Sequence, residues 1–201
     1  MNNKLVITKH NNKIISAFLE DMDMTQVSIN SSEEEGILGN IYIGKIKNIV
    51  ANINAAFVEI AKGQMCYYSI TENRYPIMSN DQEYDSMNAI LKGRKLKPGD
   101  ELIVQVAKED VKTKAPVVSS NLNFTGKYVA LTYGKTNLGV SSKISDNKER
   151  MRLRKLVSPY ISQEFGLIIR TNAAYMEDDK IINEILALQS AYMNIRKYGV
   201  Y

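Results

Sequence analysis

Short segments that alternate apolar and polar residues dominate the middle of this chain. The clearest is GNIYIGKIKNIVANINAAFVEI, residues 39–60, whose period of two is typical of strands with one buried face. The segments QMCYYSI, ELIVQVAKED and APVVSSNLNF continue the pattern, and Lys62-Gly63 and KPGD supply turn signals. About five short strands with one long polar connection, residues 71–97 with a helical turn at SMNAIL, favour a small Greek-key barrel of the OB type. A β-sandwich fragment is the alternative, but five strands fill it less well.

The segments on either side of this barrel have a different character. KLVITK, KIISAFLED and TQVSIN predict three opening strands, with a turn at Asn-Asn-Lys and an acidic linker, SSEEEGILG, after them. After Phe124, GKYVALTYGKTNLGVSSKI predicts two strands and SDNKERMRLRKLVSPYI predicts a helix, capped by Ser145 or Asp146 and ended by Pro159. A buried strand in FGLIIRT and a long amphipathic helix in MEDDKIINEILALQSAYMNIRKY follow. This order of strands and helices implies an α/β layer.

The order of the elements also predicts a discontinuous domain. We expect residues 1–35 and 126–201 to form one α/β subdomain with a single sheet, and residues 36–125 to form the inserted barrel. The chain would cross between them in the acidic linker and again near Phe124 to Gly126. The fold class is therefore predicted as α+β.

Composition limits the kinds of site. With one cysteine, Cys66, and one histidine, His10, the chain has no internal disulfide and no zinc site of about four Cys and His ligands. The acidic runs at 33–35 and 177–179 fit a solvated linker and a helix start, so we predict no metal site in this chain. No apolar run is long enough for a signal peptide or a membrane span, and a reduced cytoplasm fits best.

Lysines and aromatic rings share the alternating strands, as Tyr42, Lys45, Lys47 and Phe57 illustrate. Aromatic rings on an OB surface stack on bases without reading sequence, and neighbouring lysines neutralise phosphates. A net charge of +4 is compatible with an acidic partner but does not require one. The pattern alone leaves open that Phe57 is a core residue and that the lysines form a solvated face.

Three motifs together resemble the ribonuclease E/G family. Residues 39–60 are similar to the start of its S1 RNA-binding domain, GDELIVQVAKEDVKTKAPVVSS is similar to a later run of that domain, and GLIIRT is similar to its GLIVRT element. Their order and approximate spacing match, so the resemblance covers nearly the whole chain. It implies a five-stranded OB-fold (S1) β-barrel inserted into a ribonuclease-H-like α/β subdomain.

The resemblance assigns an RNA-binding role to the barrel. It implies that two aromatic side chains stack on bases while lysines beside them neutralise phosphates. The residues are Phe57, Tyr67, Lys108, Lys112 and Lys114.

A second site is implied at the end of the apolar strand, where Arg170 and Thr171 would sense the 5′-monophosphate of RNA and the backbone of Gly126 would approach it. A guanidinium offers a planar fork of donors that matches phosphate oxygens. Ser142 and Lys143 stand where the family has a basic pair, so part of this pocket differs. The alternative is that Arg170 pairs with a carboxylate and Thr171 caps the next turn.

The implied partner is single-stranded RNA, preferably 5′-monophosphorylated, bound by a cytoplasmic protein that self-associates as a homo-oligomer. In the family, a pair of aspartates holding magnesium lies in a later subdomain. We therefore expect no catalytic residue here, no cofactor of this chain's own, and no activity of this chain alone. The alternatives are a non-catalytic S1-domain RNA-binding protein and an interaction scaffold with no nucleic-acid role.

Overall fold

The structure is a computed structural model that describes residues 3–31, 36–73, 75–79, 95–109, 114–162 and 164–199. The chain divides into two compact units, Met1–Ile37 and Leu38–Tyr201. The first unit is a small antiparallel sheet. The described residues of the second unit form a barrel, a mixed sheet and two α-helices.

Three antiparallel strands form the first unit, in the order β1 (Asn3–His10), β2 (Lys13–Glu20) and β3 (Asp23–Ser31). Asn11 begins the first tight turn with a φ of 52°. Asp21 and Met22 form the second with φ values of 47° and 77°, as in the type I′ turns that suit the twist of hairpins. The three opening strands and the turn at Asn11 are thus confirmed.

The pairing of these strands differs from the expectation that they complete a sheet with residues 126–201. Within the described residues, β1, β2 and β3 pair only with one another. Turns of two residues let each strand satisfy its backbone groups with its neighbour in sequence, whereas alternation alone does not specify a distant partner. The boundaries of the discontinuous domain stay a prediction.

A closed barrel forms the first half of the second unit, and it confirms the α+β fold with a five-stranded OB-type barrel. The sheet order is β4-β5-β6-β9-β8-β7, and an additional pairing of β4 with β8 closes the first five of these strands into the barrel, while β7 is a short sixth strand paired with β8. Among the described residues of the barrel, only the pair β6–β9 is parallel. The strands are β4 (Ile41–Val50), β5 (Ala55–Ala61), β6 (Gln64–Ser69), β7 (Ile77–Met78), β8 (Glu101–Lys108) and β9 (Val117–Ser119).

The barrel closes because alternate residues of each strand are small or apolar and point inward. Ala56 and Val58 are buried on β5, and Cys66 and Tyr68 are buried on β6. The Tyr68 hydroxyl shares a hydrogen bond of 3.1 Å with Ser120 Oγ in the interior, and burial raises the pKa of this phenol. Tyr68 is therefore a core residue and is not available to stack on a base.

The mixed sheet in the second half has the order β10-β11-β13-β12. β11 and β13 are antiparallel, while β12 and β13 are parallel. Helix α1 is capped by Asp146, whose side chain accepts the N–H of Lys148 at 2.9 Å, and Pro159 lies in the short turn that follows. The sheet begins with β10 (Asn123–Thr125). The strands and helices predicted after Phe124 are confirmed as β11 (Val129–Tyr133), β12 (Leu138–Val140), α1 (Asn147–Val157), β13 (Phe165–Ile169) and α2 (Asp178–Gly199).

Two details differ from the sequence prediction. APVVSSNLNF is not one strand, because the chain turns at Ser120–Leu122 and Asn123–Thr125 pairs with β11 in the other sheet. The short strand β7 was not expected, since it has no alternation of its own and lies in a polar segment. The helical turn expected at SMNAIL lies outside the described residues.

One face of α2 supplies much of the core of this unit. Tyr192 stacks on Tyr133, with ring centroids 5.1 Å apart, and meets Phe165 edge to face at 4.8 Å. The same core includes Ile103 of β8, and Ser79 Oγ donates a 2.5 Å hydrogen bond to Gly199 O at the end of α2. The barrel and the mixed sheet are therefore packed on shared residues.

Adjacent residues of α2 provide a test of this core. Ile185 is 0% exposed and Leu186 is 49% exposed. We expect Ile185→Ala to lower the free energy of unfolding by about 2–5 kcal/mol, because it removes buried methyl groups and leaves a cavity. Leu186→Ala should change it by about 0.5 kcal/mol or less. Urea unfolding followed by circular dichroism measures both, and equal losses would contradict the packing described.

Candidate nucleic-acid interface

The strand register places the predicted RNA-binding residues in a lateral row on the barrel. Phe57 pairs with Tyr67 across β5 and β6, Tyr67 pairs with Val117 of β9, and Val117 pairs with Lys108 of β8. Residues paired across neighbouring strands point to the same face of a sheet. Phe57, Tyr67 and Lys108 therefore share one face, which we call the barrel wall.

The barrel wall lies on the outside of the barrel. Phe57 and Tyr67 are half-buried, whereas Val58, Cys66 and Tyr68, which alternate with them, are buried. The ring at position 57 is therefore not sealed in the core. Its role in stacking stays a prediction.

The lysines noted in the sequence of the barrel domain fall into two groups. Lys108 and Lys114 are exposed and form no salt bridge with another described residue. By contrast, Lys47 Nζ lies 2.7 Å from Glu59 Oε2, and Lys45 Nζ lies 3.5 Å from an oxygen of Glu101. The hydrogen bond from Lys47 lowers the pKa of the Glu59 carboxyl.

The charges of Lys45 and Lys47 are thus balanced locally by carboxylates of neighbouring strands, which favours a solvated face as the reason for these two lysines. Lys112 lies outside the described residues.

The second predicted site lies at one edge of the mixed sheet. Because β12 and β13 are parallel, their carboxyl ends meet there, which is where open α/β sheets place ligands. Ser141 Oγ shares a 2.9 Å hydrogen bond with Thr171 Oγ1, and Ser141 N donates to Ile169 O at 2.8 Å. We call the resulting shallow depression the strand-end cleft; it is lined by Ser141, Ser142, Lys143, Ile168, Ile169, Arg170, Thr171 and Asn172.

Gly126 contacts Arg170 through its carbonyl group. Arg170 Nη1 donates to Gly126 O, and the backbone N–H of Arg170 donates to Tyr128 O at 2.8 Å. The N–H of Gly126 is already used, since it donates to Val129 O at 2.8 Å. In this structure Gly126 therefore orients the guanidinium, and among the described residues Arg170 forms no pair with a carboxylate.

Sequence reasoning missed Glu184, which holds the turn that contains Gly126. Its Oε1 accepts the N–H groups of Tyr128 and Val129 at 2.7 and 2.9 Å, and its Oε2 accepts the N–H of Lys127 at 2.9 Å. Glu184 stands on an amphipathic helix among other polar residues, so the sequence carries no signal that separates it from a solvated acid.

Sequence reasoning also missed Glu149 and Arg152, which bind the segment after Thr171; we call these contacts the clamp. Glu149 is 6% exposed, and it accepts two hydrogen bonds from Arg152, at 2.7 and 2.8 Å, and one from the N–H of Tyr175 at 2.8 Å. Arg152 also donates to Met176 O at 3.1 Å. Tyr175 has a φ of 57°, a conformation uncommon for a non-glycine residue. Helix α1 therefore fixes the chain just beyond the strand-end cleft.

The described residues contain no group of three or more His, Cys, Asp or Glu side chains that could hold a metal ion. The magnesium implied by the resemblance therefore has no set of ligands among them. No helix in the described part of the chain is long and apolar enough to cross a membrane.

A closed five-stranded barrel, sharing its core with a mixed sheet, defines an α+β protein of the OB-fold class. Residues 123–200 match the model of the ribonuclease E/G family. The chain is 27% identical to ribonuclease G of Salmonella typhimurium strain SL1344 over 180 residues, which cover 88% of this chain and 35% of that protein. It is 28% identical to ribonuclease E of Nostoc sp. strain PCC 7120 over 195 residues, which cover 96% of this chain and 27% of that protein.

Ribonuclease G of Escherichia coli strain K12 is 25% identical over 182 residues, covering 89% of this chain and 37% of that protein. These matches agree with the resemblance to the ribonuclease E/G family that the motifs of the sequence carry. The chain spans well under half of the length of each of these relatives.

The clamp formed by Glu149 predicts a specific dependence of stability on pH. The hydrogen bonds from Arg152 hold the pKa of Glu149 below its usual value of 4.5. A carboxyl whose pKa is lowered by folding stabilises the folded state fully above its unfolded-state pKa, and this contribution is lost as the pH falls through the lower, folded-state value. In urea unfolding below about pH 5, Glu149→Gln should therefore show a shallower loss of stability than the unsubstituted protein.

Glu177→Gln is the matched control, because the Glu177 side chain is 75% exposed and pairs only with Lys180 among the described residues. If both substitutions flatten the pH dependence equally, the clamp at Glu149 is not its cause.

Proposed function

We propose that this chain is the RNA-recognising region of a ribonuclease E/G-type endoribonuclease that acts in RNA processing and decay. Single-stranded RNA lies across the barrel wall at Phe57 and Tyr67, and its 5′-monophosphate binds at Arg170 and Thr171. The observation that carries the proposal is the convergence of a guanidinium, hydroxyl groups and Lys143 in the strand-end cleft. The names of the relatives, ribonuclease G and ribonuclease E, support RNA as the ligand.

The chemistry of the strand-end cleft suits a terminal phosphate. A guanidinium has five N–H donors, and Gly126 O takes one of those of Arg170. The other donors have no partner among the described residues, so they are available to phosphate oxygens. A terminal monophosphate carries about −1.5 to −2 charges at pH 7, whereas a 5′-hydroxyl carries none. The cleft therefore separates the two kinds of RNA end by charge.

The barrel wall contributes affinity without sequence preference. Stacking of a base on an aromatic ring stabilises a complex by about 1–3 kcal/mol, and every base offers a face for it. Lys108 and Lys114 are exposed, and in this proposal they neutralise phosphates together with Lys112. Binding through such contacts weakens steeply as salt increases.

Recognition is the task that we assign to this region. That cleavage depends on carboxylates other than those of this chain, with magnesium, is part of the proposal and follows from the resemblance to the family. Self-association as a homo-oligomer and a cytoplasmic location also stay predictions.

The first test of the proposal compares two forms of one oligoribonucleotide, with a 5′-monophosphate and with a 5′-hydroxyl. We expect the unsubstituted protein to bind the monophosphate form more tightly. Arg170→Ala should reduce that preference by roughly 10- to 150-fold, because about 1.5–3 kcal/mol of charge-assisted hydrogen bonding is lost. Affinity for the 5′-hydroxyl form should not change. Fluorescence anisotropy at fixed salt measures all four values.

Arg154→Ala is the control, because Arg154 is an exposed arginine of α1 and its loss removes the same charge. A monophosphate preference that survives in Arg170→Ala would rule out the proposed sensor.

The second test concerns the ring at position 57. We expect Phe57→Ala to weaken binding of both RNA forms equally, by roughly 5- to 150-fold, since a stacking interaction of about 1–3 kcal/mol is lost. Phe57→Leu keeps an apolar side chain of similar bulk but removes the flat ring. If stacking is the role of Phe57, Phe57→Leu should also weaken binding while its thermal stability stays close to that of the unsubstituted protein. Normal binding by Phe57→Leu would instead mean that the ring only packs.

A further inference from the structure

We propose that Glu184 is a positioning residue that sets the orientation of the Arg170 guanidinium for a 5′-terminal phosphate. The inference rests on the proposed function and adds a residue of α2 to it. Glu184 acts through the turn formed by residues 126–129, which lies between its carboxylate and Arg170.

The Glu184 carboxylate binds the backbone of the turn. Glu184 accepts N–H groups from three consecutive residues, Lys127, Tyr128 and Val129, with distances between 2.7 and 2.9 Å. Hydrogen bonds between an ionised group and backbone N–H donors are about twice as strong as those between neutral groups. Three of them from one side chain fix the orientation of three successive peptide groups.

Arg170 donates hydrogen bonds to carbonyl oxygens of the same peptide groups. The peptide group between Gly126 and Lys127 donates its N–H to Glu184 and accepts the guanidinium of Arg170 at its carbonyl oxygen. The peptide group between Tyr128 and Val129 donates its N–H to Glu184 and accepts the backbone N–H of Arg170. Glu184 and Arg170 are thus joined twice, each time through a single peptide group.

A trans peptide group is planar, and its N–H and C=O point in opposite directions. Fixing the N–H on Glu184 therefore fixes the direction of the carbonyl that receives Arg170. Hydrogen bonds in such a chain also polarise one another, so the bond to Glu184 strengthens the acceptor on the other side. Without Glu184, the Tyr128 carbonyl is still held by the backbone N–H of Arg170, but the N–H of the Gly126–Lys127 peptide group loses its partner. The Gly126 carbonyl, and the guanidinium bound to it, are then held less firmly.

Gly126 provides an independent route to the same contact. A Cβ atom at this position would overlap the carboxylate of Glu184. Gly126→Ala therefore displaces the carboxylate while leaving both Glu184 and Arg170 in the chain. It gives a second variant with the same expected defect and a different chemical change.

The experiment measures the ratio of affinities for 5′-monophosphate and 5′-hydroxyl forms of one oligoribonucleotide. We expect Glu184→Ala to lower this ratio roughly tenfold, toward that of Arg170→Ala, with unchanged affinity for the 5′-hydroxyl form. Glu184→Gln keeps one carbonyl oxygen, but its amide nitrogen cannot accept the N–H of Lys127. Its affinity ratio should therefore fall between that of the unsubstituted protein and that of Glu184→Ala. The double variant Glu184→Ala/Arg170→Ala should bind like Arg170→Ala alone, because both residues act on one contact.

Asp179→Ala is the matched control, since Asp179 is an exposed acid on the same helix and its removal changes the net charge equally. Its ratio should equal that of the unsubstituted protein. If Glu184→Ala does not fold, Glu184→Gln and Gly126→Ala decide the question by the same ratio.

The outcomes separate the two proposals. A protein without substitutions that shows no monophosphate preference overturns the proposed function, and the role of Glu184 with it. A preference that is lost in Arg170→Ala but retained in Glu184→Ala and Gly126→Ala overturns only the role of Glu184. Equal weakening of both RNA forms by Glu184→Ala, with a lower melting temperature, would also overturn it, since that is the result of general destabilisation.

Discussion

The pairing of β4 with β8 is the contact on which the architecture of the second unit depends. It runs antiparallel from Ile41 opposite Gln105 to Lys45 opposite Glu101, and it converts an open sheet into a barrel. Closure removes the free edges of both strands and gives every strand an inner and an outer face. Tyr68 lies on the inner face, whereas Phe57 and Tyr67 lie on the outer face. Closure of the barrel therefore determines which of these aromatic side chains are core residues and which are surface rings.

Helical periodicity was enough to identify both described helices, and alternation along the sequence was enough to identify the strands of the barrel other than β7. It did not identify strand partners. Asn123–Thr125 reads as a continuation of β9, yet it pairs with β11, and the opening strands pair with one another. Period-two alternation states which side of a strand is buried, but every strand with a buried face satisfies it equally well. Partner choice depends on turns and on long-range packing, which a single segment does not encode.

The residues in and behind the strand-end cleft differ in the same way. The family resemblance predicted Arg170 and Thr171 as one site, and Lys143 lines the same cleft because β12 and β13 are parallel and their carboxyl ends meet at one sheet edge. Glu184 could not be predicted, because its contact joins a helix side chain to backbone N–H groups about 55 residues earlier in the chain. Backbone donors are the same at every residue, so no pattern of side chains marks the turn that binds a carboxylate.

In the proposed function, the barrel wall and the strand-end cleft have complementary physical tasks. Stacking and phosphate neutralisation are insensitive to sequence and to the state of the RNA end, so the wall alone retains any single strand. A terminal phosphate offers few contacts, and binding it alone must overcome the loss of translational freedom. When both sites belong to one compact unit, a strand held on the wall presents its end to the cleft at a high effective concentration. A cleft of modest intrinsic affinity then suffices for discrimination, provided that the guanidinium is already oriented before the phosphate arrives.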